Sequence, residues 1–245
     1  MALRQRKRYL IVNADDFGQS AGVNRGIIEA HQSGIVTSAS LMVRWPAAVE
    51  AAAYARNHPA LSLGLHFDFG EWFCRRGKWT NVYEVVPDSD LRTAAREASR
   101  QLTAFRSLVG RDPSHLDSHQ HVHRRIPLRP LFAAIAKKLK VPLREGGQRV
   151  RYLGEFYGQT STGKPLRKHI GTAAFITLLM KLQPGFTELG CHPGYADDLD
   201  TMYCEERQKE IQTLCDPKVR AAVRDLAIEL CSFRDVPVTY GGFSK

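Results

Sequence analysis

Short apolar runs alternate along the chain with longer segments of helical periodicity. Strand-like runs are predicted at 9–12, 35–43, 61–67, 115–119, 141–144, 187–192 and 236–240. Helices are predicted at 22–33, 46–58, 91–109, 128–140, 173–182, 205–214 and 217–231. Strands that alternate with helices usually pair in parallel, as a sheet or a barrel. We therefore predict an α/β protein with about seven strands.

Capping and helix-breaking residues mark the predicted helix ends. Ser20 is suited to cap the first helix, and Gly34 to end it. Pro46 opens the second helix, Gly110 ends the third, and Asp216 caps the last, where Pro217 follows. An α/β barrel of 245 residues is ordinary for a single domain, so we expect one domain over 1–245.

Two segments interrupt the alternation. Residues 68–88 are rich in aromatic side chains and are predicted as a loop, and 145–169 are rich in glycine and polar residues and are predicted as a long functional loop. Trp72 and its aromatic neighbours suit the apolar faces of a sugar, which favours a substrate wall. Core packing or a subunit interface explains them equally well.

Polar residues stand where the predicted strands end. In an α/β barrel the carboxyl ends of the strands converge on one face, where active sites are built. Chance placement of so many ionisable side chains at these ends is improbable, so we expect them to meet in one site. They are Asp15, Asp16, His66, His119, Arg144 and His192.

Adjacent carboxylates at the end of a strand pose an electrostatic problem. Asp15 and Asp16 repel each other, so the pKa of one rises unless a cation neutralises the pair. A divalent metal is the simplest partner, with one aspartate as a ligand and the other as a base beside it. Taken alone, the stretch also fits a solvated turn, since Asp-Asp-Phe-Gly is compatible with loop chemistry.

A histidine-rich run in the middle of the chain supplies further ligand types. The stretch 115–123 holds Asp117, His119, His121 and His123, and runs of this density usually bind metal. Alternate residues share a face on a strand, and His119 and His123 share one on a helix. In either conformation two imidazoles can face one ion, and which of them are ligands stays open.

The positions of two single histidines in the sequence favour a functional role for both. His66 ends an apolar strand, and one carboxylate with two histidines leaves the open coordination positions of a catalytic site. Such a set does not decide between Zn²⁺ and Mg²⁺. His192 precedes a proline far along the chain, and a histidine near a metal without binding it suits general acid chemistry, because its ordinary pKa is close to neutral.

Composition excludes several classes of partner. The formal net charge of +10 is spread along the chain, and because no nucleic-acid-binding module is recognisable we expect no nucleic acid partner. No apolar stretch is long enough for a signal peptide or a membrane span, and five cysteines without a C-x-x-C pair favour a reducing, cytoplasmic environment. The basic surface leaves peripheral membrane association open, and a homodimer is open as well.

Taken in order, the motifs resemble the YdjC-like carbohydrate deacetylase family, which includes chitooligosaccharide deacetylases and deacetylases associated with hopanoid biosynthesis. The matching stretches are 13–18 (NADDFG), 64–66 (GLH), 115–123 (HLDSHQHVH) and 191–194 (CHPG). The likeness extends from Tyr9 to about Tyr240.

The resemblance implies a distorted TIM-like (β/α) barrel and a metal-dependent hydrolase. It implies a divalent metal ion held by Asp16, His66 and His119. It also implies Asp15 as the catalytic base that activates water and His192 as the general acid that protonates the leaving amine.

Other features of the resemblance concern the substrate. The implied reaction removes an acetyl group from an N-acetylated sugar, in an oligosaccharide or a glycolipid precursor. Arg144 resembles the arginine with which related deacetylases hold the catalytic aspartate. Members differ in the segment 68–90, which leaves the substrate open. Residues expected beside the ligands or against the substrate are Asp117, His121, His123 and Trp72.

Two other classes of function remain as alternatives. The H-x-H pair of His121 and His123 is of the kind used by other metal-dependent barrel hydrolases, phosphoesterases and amidohydrolases among them. A basic binding protein with a structural metal has no catalytic activity. Release of acetate or of phosphate separates the two enzymes, and a binding protein releases neither.

Overall fold

The computed structural model describes residues 7–75, 77–87, 89–147 and 149–237. Within these ranges the strands are β1 (Arg8–Phe17), β2 (Ser38–Leu41), β3 (Ser62–Phe67), β4 (Gly70–Arg75), β5 (Lys78–Glu84), β6 (Leu116–Ser118), β7 (Val150–Leu153), β8 (Gly185–Cys191) and β9 (Ile228–Cys231). The α-helices are α1 (Ala21–Gln32), α2 (Ala48–Asn57), α3 (Leu91–Val109), α4 (Arg129–Leu139), α5 (Thr172–Met180), α6 (Glu205–Leu214) and α7 (Pro217–Asp225). None of these helices is long and apolar enough to cross a membrane.

Seven of the described strands are parallel and form one curled sheet around β1. The order is β6–β3–β2–β1–β8–β7, and β9 pairs with the first half of β1 while β2 pairs with the second half. The helices cover the outside of this sheet. The predicted α/β class and the distorted barrel are therefore confirmed, with β6 and β7 as the two ends of the described sheet.

The central strand β1 divides its side chains between two environments. Leu10 and Val12 belong to the large apolar core that includes helix side chains, whereas Ile11 belongs to a smaller cluster closed by residues after β9. Asn13 lies on the same face as Ile11 and donates a hydrogen bond of 2.8 Å to Asp15. This alternation follows from the two-residue period of a strand, and it directs polar groups to the inside of the sheet.

The prediction of a loop at 68–88 is wrong, because β4 and β5 form an antiparallel hairpin within this segment. Gly77 lies between the two strands with a φ of 78°, a left-handed conformation that glycine adopts readily. Most of β5 is exposed, so it carries no apolar face for a pattern to reveal. The hairpin places Glu71 and Trp72 over the carboxyl end of the main sheet, where both line a cavity.

The second predicted loop, 145–169, also contains regular structure. β7 pairs in parallel with β8 at the end of the sheet, and a short 3₁₀ helix begins at Arg167. The predicted strand at 141–144 shrinks to a single bridge from Leu143 to Leu116. β7 is partly exposed, since β8 is its one neighbour among the described strands, and its sequence therefore lacks a continuous apolar run.

The last predicted helix is too long. α7 ends at Asp225, Ala227 takes a left-handed φ of 50°, and β9 follows as a partner of β1. Val236 and Pro237 lie outside any strand, and the rest of the strand predicted at 236–240 lies outside the described residues. The apolar residues of β9 were consistent with either element, and only pairing with β1 selects the strand.

The predicted helix ends at three positions are confirmed. The Ser20 hydroxyl accepts a hydrogen bond of 3.1 Å from the Val23 amide, and Asp216 caps α7 in the same way. Gly110 ends α3 with a φ of 77°. These contacts satisfy backbone groups that a helix terminus leaves unpaired.

A histidine packs directly beneath β3. His115 is buried, stacks on Phe233 with ring centroids 3.7 Å apart, and lies against the Cα of Gly64. A Cβ at Gly64 would come within 2.4 Å of the His115 ring. Burial lowers the pKa of His115 to about 3, so this histidine packs as a neutral ring.

We predict that Gly64→Ala destabilises the fold by about 1–3 kcal/mol, because the added methyl group displaces the buried His115 ring. Urea denaturation of both proteins measures the difference. Gly147→Ala is the matched control, since a Cβ there meets no atom within 4 Å. Its effect should lie within about 0.5 kcal/mol. Equal midpoints for the wild type and Gly64→Ala contradict the proposed contact.

Candidate active site

A cavity of about 1050 Å³ opens at the carboxyl end of the parallel sheet. Most of the predicted strand-end residues line it: Asp15, Asp16, His66, His119 and His192. Arg144 is 2% exposed and lies behind Asp15. The structure therefore brings together side chains that lie up to 177 residues apart in the sequence.

An irregularity in β1 lets both neighbouring aspartates reach this cavity. Successive residues of a regular strand point to opposite faces, so Asp15 and Asp16 should diverge. The pairing of β1 with β2 shifts register between Ala14 and Phe17, and Asp16 has a left-handed φ of 66°. Such a bulge redirects one side chain, and aspartate tolerates the left-handed region better than most residues.

Asp16 lies at the centre of a group of metal-ligand atoms. Its Oδ1 lies 3.0 Å from His119 Nδ1 and 3.4 Å from His66 Nε2. The three ligand atoms all lie within 4.8 Å of one another, and all three residues are buried. One carboxylate and two imidazoles are a donor set that divalent transition metals accept, and they leave coordination positions for other ligands.

Each histidine of this group has a carboxylate near its other nitrogen. His66 Nδ1 lies 2.8 Å from Asp117 Oδ1, which holds the ring with Nε2 towards Asp16. Although burial acts to lower it, the carboxylates of Asp117 and Asp16 raise the pKa of His66 to about 10, so a metal must displace a proton to bind there. His119 Nε2 is buried, has no hydrogen-bond partner among the described residues, and lies 4.0 Å from Glu71 Oε2.

Arg207, from α6, neutralises Asp16 on its other oxygen. Its guanidinium lies 2.7 Å from Asp16 Oδ2 and is almost fully buried. Burial acts to raise the pKa of Asp16, but Arg207 and His119 outweigh it and hold that pKa well below its usual range. Asp16 therefore stays ionised, which is the form of a carboxylate that is able to bind a metal.

Arg144 neutralises the other aspartate from behind. Its two terminal nitrogens donate hydrogen bonds of 2.6 and 2.7 Å to the carboxylate of Asp15. The same guanidinium also contacts Asp117 at 2.9 Å and Glu188 at 2.7 Å. Burial acts to raise the pKa of Asp15, but Arg144 lowers it overall, whereas burial raises the pKa of Glu188 to about 7.

His192 faces Asp15 from the end of β8. Its Nε2 lies 3.8 Å from Asp15 Oδ2, and its ring lies beside the stacked rings of Tyr157 and Tyr203, with centroids 5.5 Å from each. Its backbone amide donates to Glu210, which also accepts from the Tyr203 hydroxyl. Burial lowers the pKa of His192 to about 4, so the ring is neutral in the free protein rather than half protonated near neutral pH.

The structure selects His119 over the other histidines of its run as the neighbour of Asp16. His119 starts a short 3₁₀ helix, and Gln120 and His121 then take left-handed φ values of 49° and 54°. Neither a strand nor a regular helix continues, so His121 and His123 form a separate group. His121 lines the cavity, whereas the His123 side chain is buried and hydrogen-bonds to Ser118.

The remaining predicted residues lie at or behind the cavity. Asp117 is buried between His66 and Arg144 and does not line the cavity. Trp72 lines the cavity, and the Arg125 guanidinium lies 4.5 Å from its ring centroid. Gln120 exchanges two hydrogen bonds with the Trp72 backbone, which fastens the hairpin to the histidine-rich turn.

Several residues of the site carry no clear signal in the sequence. Arg207 and Glu71 come from a helix and a hairpin that the strand-end rule does not cover. Glu188 was detectable: a carboxylate within an apolar strand lies two and four residues from Gly190 and His192, so all three share one face. Tyr152, whose ring centroid lies 4.9 Å from the Arg144 guanidinium, belongs to β7, which lies within the segment predicted as a loop.

Comparison with known proteins gives relatives along nearly the whole chain. A carbohydrate deacetylase of Geobacillus stearothermophilus is 34% identical over 93% of this chain and 98% of its own length. A chitooligosaccharide deacetylase of Serratia marcescens is 32% identical over 94% of this chain and 100% of its own length.

Solved structures share the fold. A protein of Enterococcus faecalis V583, provisionally described as a cellobiose-phosphate cleavage protein, matches with a TM-score of 0.74 and 26% identity over 93% of this chain and 98% of its own. A family 4 carbohydrate esterase of Streptomyces lividans matches with a TM-score of 0.53 and 13% identity over 96% and 98%. The model of the YdjC-like protein family matches residues 9–225, and the chain belongs to that family.

Proposed function

We propose that the protein is a carbohydrate deacetylase that hydrolyses the acetyl group of an N-acetylated sugar with the help of a divalent metal ion. The observation that carries this proposal is the pairing of two differently held aspartates. Asp16 groups with His66 and His119, and Asp15 is clamped by Arg144 beside them. The names of the relatives from G. stearothermophilus and S. marcescens support the same reaction.

The metal would be held by Asp16, His66 and His119. Bound there, Zn²⁺ or Mg²⁺ supplies a Lewis acid that polarises the acetyl carbonyl and acidifies water. His119 Nδ1 and His66 Nε2 both face Asp16 Oδ1. The Asp117 contact of His66 Nδ1 fits this role, since ring orientation in metal sites is set by the nitrogen that does not bind.

Asp15 acts as the general base. Its two hydrogen bonds from Arg144 keep it ionised and fix its orientation towards the cavity. A carboxylate held in this way accepts the proton of the attacking water without moving. Both of its oxygens contact Arg144, whereas Asp16 Oδ1 faces the two histidines, and this difference favours Asp15 as the base and Asp16 as the ligand.

His192 acts as the general acid. Its ring lies at the cavity surface, with Nε2 3.8 Å from Asp15 Oδ2. The group that takes the proton from water, Asp15, and the group that gives a proton to the amine, His192, are therefore neighbours. An amine leaves readily only when its nitrogen is protonated. The stacked rings of Tyr157 and Tyr203 pack against one side of the imidazole and restrict its orientation.

The substrate occupies the cavity between the hairpin and the sheet. Trp72 and Tyr152 line it and offer aromatic surface for the C–H faces of a sugar ring. The cavity volume of about 1050 Å³ suits an oligosaccharide of a few residues or the sugar portion of a glycolipid. Both remain within the proposed substrate class.

We expect His66→Ala and His119→Ala each to lower the metal content of the purified protein by about one equivalent per chain, because each removes one of three ligands of that ion. Elemental analysis after dialysis against dilute Zn²⁺ measures the metal per chain. His169→Ala, which removes an exposed histidine, is the control and should leave the content unchanged. Full occupancy in both ligand variants contradicts the assignment of these ligands.

Asp15→Asn should keep the metal and lose about 10²–10⁴-fold in kcat, because the amide cannot accept the proton of water. Acetate release from diacetylchitobiose gives the rate, and elemental analysis gives the occupancy. Arg144 keeps Asp117 and Glu188 as partners, so the fold should survive. If the variant instead loses metal and recovers activity in excess metal, Asp15 is a ligand and not the base.

His192→Ala should retain the metal and lose the basic limb of the pH–rate profile. Only the protonated ring donates, so wild-type activity falls as pH rises through the His192 pKa. Burial lowers that pKa in the free protein, so in kcat/KM this limb lies at lower pH than for an exposed histidine. Profiles of His192→Ala and of the His169→Ala control make the comparison, and an unchanged profile in His192→Ala removes His192 from the mechanism.

A further inference from the structure

A second group of ligand types lies next to the first in the chain. His121 and His123 stand in the short 3₁₀ helix, and Glu145 stands in the turn after Leu143. One potential ligand atom from each of these three residues lies within 4.8 Å of the others. The group shares no residue with Asp16, His66 and His119, so one chain is able to bind a metal ion at both groups at the same time.

Unpaired nitrogens in this group point to a missing ligand. His123 is 2% exposed, and its Nε2 has no hydrogen-bond partner among the described residues. His121 Nδ1 is also buried and has no hydrogen-bond partner within the ranges that the structure describes. A buried polar atom without a partner costs about 1–3 kcal/mol, so a group that accepts both lone pairs recovers that free energy.

The second nitrogen of His123 is held as a metal ligand requires. Its Nδ1 lies 2.7 Å from the Ser118 hydroxyl, which also accepts a hydrogen bond of 3.0 Å from the His123 amide. When Nδ1–H donates to Ser118, the lone pair of Nε2 is free. Hydrogen bonding of the distal nitrogen to a protein oxygen is the usual way in which metal-binding imidazoles are oriented.

Glu145 is able to complete the group at little cost. Its carboxylate lies 3.2 Å from Arg124, and the Arg124 and Glu145 side chains are 57% and 31% exposed. An ion pair this open to solvent contributes about 0–1 kcal/mol. The carboxylate can therefore turn from Arg124 to a cation, and Arg124 can extend into water.

We infer that His121, His123 and Glu145 form a second divalent-metal site. Two imidazoles and one carboxylate favour a borderline ion such as Zn²⁺ over Mg²⁺, which prefers oxygen ligands. Bonds of about 2.0–2.2 Å draw the donor atoms inward from their present separations. Glu145, as the exposed member, makes most of that movement. Because His121 lines the cavity, the ion lies at the wall of the active site.

Metal stoichiometry tests the second site directly. The untagged, metal-free full chain is titrated with Zn²⁺ in a calorimeter, and with Co²⁺ as a visible-absorption probe of the ligands. We expect two equivalents for the wild type and one for His66→Ala, which retains the second group. Adding Glu145→Gln to His66→Ala should weaken the remaining equivalent at least about tenfold.

A matched carboxylate serves as the control. Glu155→Gln in the His66→Ala background removes an exposed acidic group outside the site and should leave the remaining equivalent unchanged. His123→Ala in the same background should abolish it, and circular dichroism of the metal-free variants checks the fold. If His123→Ala does not fold, Glu145→Gln, at an exposed position, carries the test alone.

Three results overturn the second site. The first is a wild type that binds only one equivalent of Zn²⁺. The second is an affinity for the remaining equivalent that is the same when Glu145→Gln or Glu155→Gln is added to His66→Ala, which identifies an adventitious ion only. An X-ray absorption spectrum without imidazole scatterers, from the Zn²⁺-loaded His66→Ala protein, excludes His121 and His123 as its ligands.

Discussion

Two neighbouring carboxylates buried at the end of β1 are the constraint on which the rest of the site depends. Asp15 and Asp16 repel each other, and burial removes the water that normally screens them. Each carboxylate is neutralised by its own buried arginine, Asp15 by Arg144 and Asp16 by Arg207. A buried charge that lacks a partner costs several kcal/mol, so this arrangement requires both arginines.

The two arginines also give the aspartates different surroundings. Arg144 donates hydrogen bonds to both oxygens of Asp15 and also contacts Asp117 and Glu188. These contacts fix the orientation of the Asp15 carboxylate. Arg207 contacts only one oxygen of Asp16, and the other faces two histidines. The proposed division into a base and a metal ligand follows from this difference in contacts, since the two side chains are chemically identical.

Backbone geometry makes the pair possible. The register shift beside Ala14 and the left-handed conformation of Asp16 turn two consecutive side chains to one cavity. The same device recurs in the histidine-rich turn, where Gln120 and His121 are left-handed. There it separates His119 from His121 and His123, and so divides one sequence motif between two groups of ligands. Local departures from regular structure thus decide which donors meet.

The sequence by itself determined the α/β class, the parallel pairing of the strands and the strand ends at which Asp15, His66 and His192 appear. Those features follow from hydrophobic periodicity and chain polarity, which are local. Tertiary structure decided the rest. The hairpin with Glu71, the strand with Tyr152 and the position of Arg207 against Asp16, 191 residues away, depend on long-range pairing and packing. No local pattern encodes such contacts, because each becomes favourable only when the sheet has already brought its partner into place.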